Sequence, residues 1–516
     1  MSPAQLAEMV GKLERENINL KRQVAWFQRH IFGQKSEKRH VEPGGVQGVL
    51  GMGFDAVPDT PLPTKKTVVA SHERKPKQPA ANADESNLFF DEKKVPVEVI
   101  AVPNPETEGL APDQYEVIGE KVTHRLAQRP GSYVVLKYVR PVIKRRDTQA
   151  LSCPPAPVGV IDGSRADVSF IAGMMTDKFL YHMPLYRQHK KMADAGIRVS
   201  RPWPIQLMQA SVALLEPIFD AQLESVRASR VKAMDETPIK AGQNGAGKMK
   251  QAYFWPVYGE RDEICFLYYP GRSGQHVRDA LGLSPPPNAV LQTDGYAVYA
   301  SYAKKVGLTH AQCWAHARRE VYEARDIEPA HAEQALDAIA ALYAVEERIR
   351  EQNLDGEAKR SWRQAHARPV AERFFKWVDG YFAAQGFLPS SPFTKAMAYI
   401  RERRAGLEVY LDDPDVAIDT NHLERALRVI PMGRRNWLFC WTELGARQVG
   451  IVQSLMTTCR LHDVDPYDYL VDVLQRVGRH PASQVEQLTP RVWKTLFASN
   501  PLRSDLHEID SRRSRQ

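Results

Sequence analysis

The chain has 516 residues, 43% apolar and 26% charged, with 70 Lys and Arg against 62 Asp and Glu, a net charge of +8 and a pI near 9.0. That length requires several domains, and the lack of an apolar run of about 18 residues or of a signal-peptide pattern excludes membrane insertion and makes the cytoplasm the expected compartment. The small positive excess favours an anionic partner without specifying one, and the scattered Cys153, Cys265, Cys313, Cys440 and Cys459 write neither a disulfide framework nor a Cys-x-x-Cys zinc site.

In residues 1–40, Leu6, Val10, Leu13, Asn17, Leu20, Val24, Phe27 and Ile31 recur at alternating spacings of four and three, which predicts a coiled-coil dimerisation helix. Asn17 takes an a-type position, where a buried amide pairs best with its twin in a parallel dimer; a helix packed on its own chain is the alternative. Residues 41–94 are rich in Gly, Pro, Lys and Asp and read as a flexible linker, its basic runs Lys65-Lys66 and His72 to Lys77 being solvated or in transient contact with phosphate. Short β-like runs, Val97–Ile100, Tyr133–Leu136 and Pro141–Ile143, place a small β module at 95–160.

Residues 161–228 turn helical. Tyr186 to Ala195 leads to Gly196, suited to closing a helix in the left-handed region, and to Ser200 as cap of the next, the outline of a helix-turn-helix or of a plain helical hairpin. Pro202 and Pro204 fit only in the first turn of that second helix. In 229–320, strands at Val231–Met234, Ala252–Tyr258 and Ile264–Tyr269, a helix from Gly274 to Leu283 and a strand at Ala289–Leu291 open a ribonuclease-H-like mixed α/β core. An all-α insertion follows at 321–414, the second part of the core at 415–456 and a C-terminal helical element at 457–516, so the fold class is multidomain α+β.

Asp235 ends the first of these strands, Asp294 the fourth, and Glu424 lies in a helix beginning near Asn421, which is read as its cap. Three hard oxygen ligands around an open cleft suit two Mg²⁺ or Mn²⁺ ions and phosphodiester transfer; acids at strand ends and helix caps are the structural alternative. Two patterns mislead. Gly242 to Lys248 has P-loop spacing, but Met249 replaces the metal-binding hydroxyl and strand-like sequence follows, so a glycine-rich hairpin loop is expected. His310, Cys313 and His316 straddle a predicted strand end without an evident fourth ligand, so core packing with His316 near the cleft is the preferred reading over zinc.

Ordered along the chain stand Phe32-Gly33-Gln34-Lys35-Ser36-Glu37-Lys38, His182-Met183-Pro184-Leu185-Tyr186-Arg187-Gln188, Asp235-Glu236-Thr237-Pro238, Thr293-Asp294-Gly295-Tyr296 and Cys313-Trp314-Ala315-His316-Ala317-Arg318-Arg319. Beyond the insertion come Asn421 to Arg428 and Gly433 to Phe439. In these segments the chain resembles the insertion-sequence-66 family of bacterial transposases. The resemblance implies a DDE transposase that cuts and joins DNA at the ends of an insertion sequence, with Asp235, Asp294 and Glu424 holding two Mg²⁺ or Mn²⁺ ions. It also implies DNA contacts by His316, Arg318, Arg319, Arg425, Arg428, Arg434, Arg435 and Asn436, guanidinium groups being suited to bidentate phosphate binding.

The implied partners are terminal inverted repeats, target DNA, a second copy of the chain through the coiled coil, and accessory proteins encoded by the same element. The implied setting is the bacterial nucleoid, with no membrane. One departure stands out: relatives commonly carry a cysteine zinc finger in the β module, whereas Cys153 stands alone here, so no zinc is expected. The competing functions are a transposase-derived DNA-binding protein without catalysis and a metal-dependent nuclease that does not join.

Overall fold

The computed structural model describes residues 88–129, 131–243, 248–384, 389–434, 440 and 442–513. The expected coiled coil and all but the end of the expected linker lie outside them. That end is packed: Phe89 and Phe90 are buried, Arg198 donates its backbone N–H to the Phe89 carbonyl at 2.6 Å, and Asp91 donates to Gly196 at 2.9 Å. The described residues 88–94 are therefore docked and not free linker, because two aromatic rings supply enough apolar surface to hold the segment.

The β module is a four-stranded sheet of β1 (Val97–Ala101), β2 (Tyr115–Arg129), β3 (Ser132–Arg145) and β4 (Leu151–Ser152). β2 and β3 form a long antiparallel hairpin, and β1 runs parallel to β3 on its other side. Leu126, Ala127, Val134, Val135 and Leu136 are buried near the turn, while the start of β2 is exposed along its length. Three helices follow: α1 (Val168–Phe179), α2 (Leu185–Asp194) and α3 (Pro202–Ala228). Gly196 takes φ of 90° in the α2–α3 turn, but Ser200 does not cap α3; Arg201 occupies that position without a side-chain bond. The prolines fall in the first turn of α3, which then runs 27 residues and buries Leu207, Val212, Leu215, Phe219 and Val226. This helix is a spine of the main core, since its length and apolar face serve packing.

The central sheet is built from β5 (Val231–Met234), β6 (Thr237–Gln243), β7 (Met249–Gly259), β8 (Glu263–Tyr269), β9 (Val290–Thr293) and β10 (Thr309–Gln312). β5 and β6 lie end to end along one side of β7, both antiparallel to it, with Asp235 and Glu236 at the break. β8 pairs with the other side of β7, while β9 and β10 are parallel to β5. The Gly242 segment thus belongs to a β6–β7 hairpin, whose tip lies outside the described residues.

Helices α4 (Gly274–Leu281), α5 (Ala297–Val306) and α6 (Trp314–Glu323) complete this half. The insertion consists of α7 (Pro329–Glu351), α8 (Gly356–His366), α9 (Arg368–Ala383), α10 (Pro392–Glu402) and α11 (Arg404–Asp412). Its core is continuous with the far edge of the sheet: Val231, Val290, Ala311 and Trp314 join Phe374, Phe375, Met397 and Leu407 in one buried cluster. Trp314 donates its indole N–H to the Leu407 carbonyl at 2.9 Å, and a Cβ at Gly406 would lie 3.1 Å from the His310 carbonyl. The expected boundary at 320/321 therefore cuts α6, which is shared between the two parts.

The chain returns through α12 (Asn421–Leu427), α13 (Val429–Gly433), α14 (Glu443–Leu461), α15 (Pro466–Arg476), α16 (Pro490–Leu496) and α17 (Asp505–Arg513). α14 is continuous across the expected boundary at 456/457 because it seals the β8 edge. Ser454 and Thr458 accept the backbone N–H groups of Phe266 at 2.8 Å and Ile264 at 3.2 Å. Gly450 permits this approach, as a Cβ there would fall 2.3 Å from the Phe266 carbonyl oxygen. Side chains thus satisfy a strand edge that would otherwise offer unpaired backbone to another chain. No described helix is long and apolar enough to cross a membrane.

Candidate active site

The apolar run Val231-Lys232-Ala233-Met234 forms a fully buried strand and delivers Asp235 at its C-terminal end. Parallel to it and adjacent, β9 delivers Asp294 in the same way. α12 brings Glu424 to the same place from beyond the insertion. All three line one open cleft of about 600 Å³, together with Glu236, His316, Arg272, Arg319 and Arg428.

Backbone geometry fixes the carboxylates. Asp235 Oδ1 accepts the Glu236 N–H at 2.7 Å, and Asp294 Oδ1 accepts the Tyr296 N–H at 3.0 Å. Arg403, from the α10–α11 junction, donates to the Gly295 carbonyl at 3.1 Å, and Gly295 leaves no room for a Cβ beside Tyr399 and Arg403. Asn421 is not the cap of α12: it is the first helical residue, Thr420 precedes it as cap, and Asp419 accepts the Asn421 backbone N–H at 3.0 Å and its amide at 2.6 Å.

Electrostatically the cleft is strained. Burial, with the like charges of Glu236, Asp294 and Glu424, pushes the Asp235 carboxyl up to about 7 from an ordinary 3.8, although the Glu236 N–H opposes the rise. Burial also raises Glu236, against hydrogen bonds from Tyr299 and Arg272 that favour its charge. Glu424 Oε1 is buried without a hydrogen-bond partner; His316 Nε2 lies 3.9 Å from Oε1, and the Arg319 guanidinium 3.9 Å from Oε2. Burial and Arg319 keep the His316 imidazole toward its neutral form, while Glu424 opposes them. Three converging carboxylates, with Asp235 raised in pKa and Glu424 Oε1 orphaned, fit a divalent cation, which would supply the missing positive charge.

The remaining arginines divide. Arg319 and Arg428 line the cleft, whereas Arg318 lies on the other side of α6 in a second hollow with Tyr343 and Asn421. Arg425 is exposed and acts on the charge of Tyr258 and His422, and Arg434 donates to the Pro238 carbonyl at 2.8 Å. Arg435 and Asn436 lie outside the described residues. Sequence reading missed Arg272, which lies over the rings of Tyr296 at 4.4 Å and Tyr253 at 5.7 Å, and Glu236, although the latter directly follows Asp235. An arginine between two tyrosines far apart in sequence leaves no periodic signal.

A family model described as Transposase IS66 family matches residues 163–448, one described as IS66 C-terminal element matches 454–491, and one described as Transposase C of IS166 homeodomain matches 19–85. Among curated proteins, the chain is 30% identical over 409 residues to uncharacterized protein y4hP of Sinorhizobium fredii, covering 74% of this chain and 72% of that one. It is 27% identical over 518 residues to uncharacterized protein y4jD of the same organism, covering 95% and 97%.

Proposed function

Since the chain belongs to the IS66 family of transposases, we propose that it cleaves DNA at the ends of an insertion sequence and joins them to a target, using Asp235, Asp294 and Glu424 as a metal-binding triad. The observation that carries this reading is that β5, β9 and α12 bring those three carboxylates to one cleft. The sheet supports a ribonuclease-H-like core: three antiparallel strands, the first interrupted at Asp235, flanked by two strands parallel to that first one.

Bound Mg²⁺ or Mn²⁺ ions would activate the attacking oxygen and stabilise the leaving one. The protein's own contribution is positioning and charge. Asp235, Asp294 and Glu424 would hold them. Arg272, Arg319 and Arg428, on the cleft walls, bind the phosphates flanking the scissile bond, and their planar donors orient it for in-line attack. Glu236, tied to Tyr299 and Arg272, holds Arg272 toward the DNA path. Arg318, Arg425, Arg434, Arg435 and Asn436 are assigned to more distant phosphate contacts, and His316 to the cleft wall. The segment of residues 1–40 pairs two copies through its heptad seam, bringing two cleft-bearing chains to the two ends of one element.

A strand-transfer assay with labelled element ends tests this: product should require Mg²⁺ or Mn²⁺ and vanish with chelator. Cleavage without joining would make the protein a nuclease, and binding without cleavage a DNA-binding relative.

A further inference from the structure

Behind the triad lies a ligand set of different chemistry. Among the described residues, the group of three metal-ligating side chains whose donor atoms all lie within 4.8 Å of one another is Cys313, His316 and Glu424, not the carboxylate triad. Cys313 follows β10 as the N-cap of α6 and His316 is the third residue of that helix, so the strand-to-helix corner brings thiol and imidazole together, and α12 supplies the carboxylate.

Two observations separate this group from ordinary core packing. Glu424 Oε1 is buried without a hydrogen-bond partner, a costly state for a group with no compensating ligand, and His316 Nε2 stands 3.9 Å from it, too far for a hydrogen bond. The Cys313 sulfur, by contrast, already receives the Thr420 N–H at 3.3 Å and the Thr420 hydroxyl at 3.2 Å. Donors aimed at sulfur are what a metal-bound thiolate needs around it. Tetrahedral zinc places its ligand atoms about 3.5 Å apart, so modest side-chain rotation would close the set, leaving a fourth position toward the open cleft.

We propose that Cys313, His316 and Glu424 form a site for a soft divalent cation of the zinc class, and that its occupation withdraws Glu424 from the triad and so inhibits DNA transfer. Thiolate and imidazole select zinc strongly over magnesium, which prefers oxygen ligands alone. On binding, the Cys313 thiol proton leaves to solvent and sulfur coordinates the ion. Glu424 thus answers to two ions: the oxygen-seeking ones of the reaction and a sulfur-seeking one behind them. This place is distinct from the β module, where the lone Cys153 gave no reason to expect zinc. The inhibitory part rests on the transposase reading, whereas the site itself does not.

Cobalt(II) titrated into the full-length, metal-free protein reads the site directly. A sulfur-to-cobalt charge-transfer band should saturate at one ion per chain and be displaced by zinc. Cys313→Ser should abolish the band and weaken cobalt binding at least about tenfold; Glu424→Gln should keep the band and weaken binding. Zinc should inhibit strand transfer by wild type in excess Mg²⁺, while C313S retains Mg²⁺-dependent transfer and resists zinc. No band in wild type, or a C313S protein that binds cobalt as wild type does, overturns the site. Should C313S fail to fold, unchanged cobalt affinity in E424Q overturns it instead. A band with no transfer under any metal leaves the site standing and removes the transposase reading.

Discussion

In the helical insertion, Arg363 is fully buried and every polar atom of its head is engaged. Glu346 accepts from Nε at 2.7 Å and Nη2 at 2.8 Å, and the carbonyls of Tyr410, Asp413 and Val416 accept from Nη1 at 2.7 to 3.1 Å. In the cleft, Asp235 is desolvated among like charges, and Glu424 Oε1 and His316 Nδ1 lack hydrogen-bond partners. Both regions place charge away from water, a costly step in either case. The insertion offsets that cost with a complementary charge and carbonyl dipoles, so its ion pair holds α7, α8 and the end of α11 in one arrangement. The cleft leaves the cost standing, as the proposed binding of cations there would require.

The largest effect expected from breaking this contrast is on chemistry. Asp235→Ala, Asp294→Ala and Glu424→Ala should each lower strand transfer at least about a thousandfold, or ~4 kcal/mol of transition-state stabilisation, with element-end binding retained, as filter binding and gel assays would show. The three should be similarly inactive if they serve one metal cluster. Near-normal transfer by the Glu424 variant would remove it from the triad. The neighbouring acids would not replace it, because Asp412 pairs with Arg368, Asp413 and Asp415 with Arg230, and Asp419 with Tyr343.

The opposite intervention strikes stability. Arg363→Ala should cost about 3–5 kcal/mol, because it strands the buried Glu346, and denaturant unfolding would measure it. Pairing Arg363→Met with Glu346→Leu should recover most of the loss, by removing both charges together. A single-site loss below ~1 kcal/mol would mean that water reaches the pair and that the contrast with the cleft is overstated.

A smaller effect follows from pH. The Asp235 carboxyl titrates at about 7 in the folded chain against an ordinary 3.8, so between those values the folded state holds the extra proton. Its contribution to metal-free stability is therefore lost as pH rises through that window. The melting temperature of wild type in chelator should fall relative to Asp235→Asn between pH 4 and 7, while Mg²⁺ affinity rises over the same interval. A difference independent of pH would show the carboxyl to be ionised throughout. Smallest of all, Arg428→Ala should weaken DNA binding uniformly across sequences and reduce the salt slope by about 1.

Much of the candidate site was legible because strand ends carry local signals. Buried runs before Asp235 and Asp294 announced both positions, and the order of strands and helix announced their adjacency. β6 was not legible: Asp235 and Glu236 break the apolar run and Pro238 follows, which from sequence alone reads as the end of a strand, not its resumption along the same partner. Ser200 and Asn421 were good caps by residue type, yet Arg201 and Thr420 hold those positions, since capping depends on where the tertiary fold starts the helix. Arg403, which steadies the Gly295 carbonyl from the far side of the insertion, could not be found by any local pattern.

The shared helix α6 bears on modularity. Trp314 is anchored in the insertion's core, between Phe374 and Phe375 and bonded to the Leu407 carbonyl, while His316 two residues later faces the carboxylates. Excising residues 321–414 and splicing the ends would strip the indole of its neighbours and release the corner that aims the imidazole. An all-helical segment that looks like a detachable accessory is thus part of the chassis, and grafting this cleft onto a smaller scaffold would have to carry α11 along with it.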